Sequence, residues 1–103
     1  MKLLKKLTKR EDLGAKRADI YNLLGFSYRK LENPDLDKSF AAYMMAIEID
    51  SSHLGAHEYL GELYLMRDQK DKALFMLEKI EQLAGSNTEE YKDLKNAIDE
   101  YQS

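Results

Sequence analysis

Apolar residues recur along this chain at helical spacing, in five stretches separated by turn-forming clusters. Ile20, Tyr21, Leu24, Tyr28 and Leu31 fall on one side of a helix predicted over about Ala18 to Leu31, with Gly25 on the same side. Glu32-Asn33-Pro34-Asp35 interrupts it, because Pro34 disfavours helical backbone at Asn33 and Asp35 is a natural N-cap. A second helix, about Leu36 to Ile49, carries Phe40, Tyr43, Met44, Ala46 and Ile47. Asp50-Ser51-Ser52 ends it, and Ser52 is the expected N-cap of a third, about His53 to Met66, with Leu60, Leu63 and Tyr64 inward. A fourth, about Lys72 to Leu83, holds Ala73, Leu74, Leu77 and Ile80, and Gly85 supplies a left-handed residue at its end. A fifth begins near Thr88, where Ser86 with Glu89, or Asn87 with Glu90, has capping-box spacing. Its stripe of Tyr91, Leu94, Ile98 and Tyr101 is narrow, which suits a helix that covers the end of a core.

The pattern repeats. Tyr21-Asn22-Leu23-Leu24-Gly25-Phe26-Ser27-Tyr28 returns as His57-Glu58-Tyr59-Leu60-Gly61-Glu62-Leu63-Tyr64, with Leu24 and Leu60 36 residues apart. A period of this length marks a chain built by stacking one helical unit on the next. Gly25 and Gly61 are expected where the two helices of a unit cross most closely, with the small Ser39 and Ala73 opposite them.

These residues resemble the tetratricopeptide repeat family, whose signature is W-x2-L-G-x2-Y, then A-x3-F, then P, over about 34 residues. The first copy matches at Tyr21, Leu24, Gly25 and Tyr28, then Ser39, Tyr43 and Ala46. The second matches at His57, Leu60, Gly61 and Tyr64, then Ala73, Leu77 and Ile80. The first unit has two extra residues at Asn33-Pro34, Ser51 and Gly85 replace the usual closing proline, and tryptophan is absent. The resemblance implies an all-α fold, an α-solenoid of antiparallel helix pairs in a right-handed superhelix. It implies a single domain over 1–103, with repeats at 18–52 and 53–87 and a capping helix at 88–103. Residues 1–17 read as a basic arm or as part of a preceding repeat's outer helix, since Leu3 and Leu7 fall where that helix has its apolar positions. Similar Tyr-Leu-Gly-Glu-Leu-Tyr segments belong to bacterial members of the family.

Charge divides the chain unevenly. Residues 1–17 carry seven basic and two acidic side chains, and the remainder carries nine basic and seventeen acidic ones. The acidic body repels nucleic acid, which is therefore not an expected partner. The amphipathic arm, with Leu3, Leu4 and Leu7 among lysines, holds too few apolar residues for firm membrane insertion. The chain has no cysteine, which removes disulfides and thiolate chemistry. No signal peptide is legible, so the default compartment is the cytoplasm, with the periplasm open to a chain whose leader had been cleaved.

Candidate chemistry is sparse. His53 and His57 have metal-ligand spacing, but no third ligand stands at a suitable interval and no metal site is expected. Glu58 and Glu62 lie one turn apart and are read as an acidic binding surface rather than a catalytic pair. Phosphate loops and nucleophile motifs are missing, so neither a cofactor nor an enzymatic activity is expected. In the family, the first helix of each unit lines a concave groove. By position, the partner-binding groove here comprises Asn22, Phe26, Arg29, Glu58, Glu62 and Met66. The Lys, Arg and Asn clamp that some members use to grip acidic chaperone tails is absent. The groove's charge suits a basic or apolar segment of a protein or peptide partner. Association of chains through open repeat ends, giving a homo-oligomer, is the alternative.

Overall fold

A computed structural model describes residues 2–101, with side chains from residue 16 onward. Five helices follow in chain order: α1 (Lys2–Arg29), α2 (Leu36–Ile49), α3 (Leu54–Met66), α4 (Lys70–Ala84) and α5 (Glu89–Glu100). The described residues form no strand, so the fold is all-α.

α1 starts at Lys2 and shows no break near residue 17, so the basic arm and the first predicted helix share one continuous backbone helix. Residues 2–17 are rich in Lys, Leu and Arg, which favour helix, and Gly14 weakens the run most, with smaller costs at Thr8 and Asp12. The apolar and basic side chains of residues 1–15 lie outside the described residues.

The remaining helix ends follow from side-chain caps. Asp35 accepts a hydrogen bond from the Lys38 N–H and opens α2. At α3 the cap is His53, not Ser52: its Nδ1 accepts from the Ala56 N–H at 3.0 Å. Ser52 is already engaged, giving both its N–H and its hydroxyl to the Asp50 carboxylate. This hydroxyl contact also holds the Asp50 carboxyl below its ordinary range. α3 ends in a turn where Asp68 takes a left-handed conformation (φ 62°), and the Gln69 N–H returns to the Tyr64 carbonyl. That turn lets α4 begin at Lys70, two residues before the predicted start. Gly85 (φ 85°) closes α4, and Thr88 caps α5 by accepting from the Tyr91 N–H, a role predicted for Ser86 or Asn87.

α3 is the central element. It lies against α1, α2, α4 and α5, and α1 packs most extensively on α2. The main core joins Tyr43 of α2, Leu60 and Leu63 of α3, Ala73, Met76 and Ile80 of α4, and Leu94 and Ile98 of α5. A smaller junction of Ala18, Ala46 and Ala56 brings α1, α2 and α3 together, where small side chains permit close approach.

Three expectations about packing change. Ile20, Leu24 and Leu31, predicted to face inward, are 56%, 41% and 50% exposed. α1 instead turns Ala18, Gly25 and Arg29 inward, and no described element covers its other apolar edge. Met44 and Leu74, also predicted as inward, are exposed, whereas Met76 of α4 is buried. Gly61 approaches α5 rather than α4: the three atoms nearest a Cβ there all belong to Leu94.

Candidate functional site

α1 and α3 present one face together, and α5 flanks it. On α1, Phe26 and Arg29 are three residues apart and so share a side of the helix. On α3, Tyr59 and Glu62 have the same spacing. The Phe26 and Tyr59 rings meet at a centroid distance of 5.2 Å. The Arg29 guanidinium lies 5.3 Å from the Phe26 centroid and 5.4 Å from that of Tyr59. Its Nη1 donates to Glu62 Oε1 at 3.0 Å. A largely buried cation is thereby satisfied by two aromatic faces and one carboxylate.

Beside this cluster opens a recess of about 460 Å³, lined by Arg29, Lys30, Glu62, Leu65, Met66, Ala97, Glu100 and Tyr101. Of the six predicted groove residues, Arg29, Glu62 and Met66 line it. Phe26 lies behind it, stacked on Tyr59, with the Lys30 ammonium over its ring.

The other two predicted residues stand apart from the recess. Asn22 packs against Gly55 at the α1–α3 junction, and its Oδ1 is buried without a hydrogen-bond partner. Glu58 is only 8% exposed. Burial pushes its carboxyl up to about 8, with further contributions from Glu62, Asp93 and Glu90. Burial also raises the Tyr59 phenol, again with Glu58 and Glu62 nearby.

Glu58 and Glu62, one helical turn apart, are the carboxylates from which acid–base chemistry could be built here. Glu58, however, does not line the recess, and Glu62 is tied to Arg29. The two histidines serve the backbone: His53 caps α3 and pairs through Nε2 with Asp19 at 2.7 Å, and His57 Nδ1 lies 2.8 Å from the His53 carbonyl. Burial lowers the His57 pKa and keeps the ring neutral. Among the described residues, no group of three or more His, Cys, Asp or Glu side chains is placed to hold a metal ion. No described helix is long and apolar enough to cross a membrane.

The contribution of α5 to the recess escaped the sequence reading. Tyr101 was legible as part of an apolar stripe, but Ala97 and Glu100 carry no signal of their own.

No protein-family model matches the chain, and no solved structure matches it. Over 72 residues it is 38% identical to a Porphyra purpurea protein called uncharacterized protein ycf37. The match takes in 68% of this chain, which spans 39% of the length of that relative.

Proposed function

We propose that this chain is a non-catalytic interaction module. It is an α-solenoid of the tetratricopeptide repeat kind, holding a peptide or helix of a protein partner on the face shared by α1 and α3. The observation that carries the reading is the Phe26–Arg29–Tyr59–Glu62 cluster, a rigid edge beside an open recess whose floor includes Leu65 and Met66. Leu65, Met66, Ala97 and Tyr101 suit an apolar residue of the partner, and with Glu62 tied to Arg29 the rim is left with Lys30 and Glu100, one charge of each sign. The repeated Leu-Gly-x-x-Tyr segment and the succession of helix pairs support the solenoid.

The test is capture of partners from the native cell on the immobilised chain, comparing the wild type with Phe26→Ala combined with Glu62→Lys. Partners held by the wild type and lost by the variant are expected, with helicity preserved in both. Equal retention by a folded variant refutes this face as the binding surface.

A second reading, self-association through the open edge of α1, is favoured by the exposure of Ile20, Leu23, Leu24 and Leu31. Light scattering at rising concentration decides it: a strict monomer removes it.

A further inference from the structure

α2 and α4 both lie on α3, but they do not pack on each other. The gap between them is a furrow of about 430 Å³ on a surface distinct from the recess, with no lining residue in common. Its floor is His57, Leu60 and Tyr64, one stripe of α3. Met44 and Ile47 of α2 form one wall, and Phe75 and Met76 of α4 form the other. Residues 57 to 64, and 72 to 79 on α4, each span two helical turns, about 10 Å at 1.5 Å per residue.

Two features separate this furrow from ordinary surface. Phe75 is 56% exposed and Met44 is 43% exposed, and both line the furrow. An exposed, adaptable methionine and an exposed aromatic ring lining the same furrow suit a site that takes up apolar side chains. The rim on the α4 side is also cationic. Lys72 and Lys79, seven residues apart, bracket Phe75 and fold over aromatic faces, Lys72 on Tyr64 at 5.7 Å and Lys79 on Phe75 at 5.8 Å. Asp71 is the one acidic residue among those lining the furrow. The two lysines outnumber Asp71 along the furrow, while Asp71, Glu78 and Glu81 lie on the other side of Phe75.

We infer that the α2–α4 furrow docks an amphipathic helix of a protein partner, whose apolar stripe enters between Met44 and Phe75 and whose acidic flank meets Lys72 and Lys79. Two turns of apolar contact match the i, i+3, i+4, i+7 anchors of a helix laid in a groove. The acidic flank follows from charge complementarity. This site is independent of the α1–α3 face, so each can fail without the other.

The test uses the full chain and two synthetic helices locked by side-chain lactams. Both carry Leu at i, i+3, i+4 and i+7, one with glutamates and one with lysines on its flanks. Fluorescence anisotropy is expected to show the Glu-flanked helix binding about tenfold more tightly, the sum of two rim charges. Its binding should shift the methyl NMR signals of Met44 and Met76. Phe75→Asp abolishes binding, Lys72→Glu with Lys79→Glu reverses the preference, and Phe26→Ala with Glu62→Lys changes neither. Phe75, Lys72 and Lys79 are exposed, and urea unfolding verifies that these variants stay folded. The proposal is overturned by absence of binding, by equal affinity for the two helices, or by binding that survives Phe75→Asp. Self-association lost in Phe75→Asp would assign the furrow to a second copy of the chain and would also overturn it.

Discussion

Gly25 lies flat against the ring of Tyr43: a Cβ at position 25 would stand 2.5 Å from Tyr43 Cε1 and 2.6 Å from Cδ1. The contact is reinforced one turn away, where the Ser39 hydroxyl donates to the Gly25 carbonyl at 2.6 Å. Tyr43 is fully buried, so its ring has nowhere to retreat. At Gly61 the opposing atoms are Cδ2, Cδ1 and Cγ of Leu94, which is as fully buried as Tyr43 but has rotatable bonds where the tyrosine has a rigid ring.

The two glycines therefore respond differently to alanine. Both gain about 1 kcal/mol of helix propensity. Gly25→Ala overpacks a rigid aromatic contact at a cost of about 1–3 kcal/mol, for a net destabilisation. Gly61→Ala crowds a buried Leu94 that can change rotamer, so its overpacking cost is smaller and its net loss is less than that at Gly25. Urea unfolding of the two single variants measures the contrast. A larger loss at Gly61 would show that the Leu94 side chain is held more firmly than the Tyr43 ring.

Tyr43 also carries an unmatched polar group. Its hydroxyl is buried without a hydrogen-bond partner, and burial pushes its pKa up to about 12. Tyr43→Phe removes that hydroxyl while keeping the ring on Gly25. The expected result is a stability unchanged or raised by up to about 1 kcal/mol. A loss above that size in thermal unfolding would mean that the hydroxyl is hydrogen-bonded in solution.

Glu58 and His57 impose opposite pH dependences. Glu58 is raised from 4.5 to about 8 in the folded chain, so across that interval the folded state keeps a proton that the unfolded state has lost. The stability linked to that proton is fully present below the unfolded value and is lost as pH rises through the folded one. His57 is lowered by burial from 6.5, so stability falls as pH drops below that value and the unfolded chain takes up the proton. Above about pH 6.5 only the Glu58 contribution changes, so stability is expected to fall from there towards pH 8. Glu58→Gln should raise the unfolding free energy relative to wild type at about pH 8, by on the order of 1 kcal/mol after solvent screening, with a much smaller difference at about pH 5. An identical difference at both values would place the Glu58 pKa in the ordinary carboxylate range.

Where a single residue decides the local outcome, the sequence was legible. Pro34 and Asp35 separate α1 from α2, Gly85 closes α4, and α2 runs over its predicted span, because caps and breakers act on the backbone beside them. The site was only partly legible. Phe26, Arg29, Glu62 and Met66 were readable from position in the repeat, yet the Arg29–Glu62 pair joins residues 33 apart and depends on how α1 and α3 lie together. Asn22 and Glu58 occupy the same face of the pattern, but Asn22 ends half-buried against Gly55 and Glu58 is buried. Periodicity gives the side of a helix; it does not say which neighbour, if any, will cover that side.

The sequence by itself determined that this protein is all-α, roughly where its helices start and stop, and that one helical pattern occurs twice. Those features rest on interactions within a few residues of chain. Only the tertiary structure decided which apolar stripes are buried and which stay open. Ile20, Leu24, Met44 and Phe75 are as apolar as the core residues they resemble, and they remain exposed because no described helix reaches them. It also decided that Gly61 meets Leu94, that Glu58 is surrounded by other carboxylates, and that α2 and α4 leave a furrow between them. Each outcome depends on the distance between helices far apart in sequence, which side-chain volume at the crossings controls.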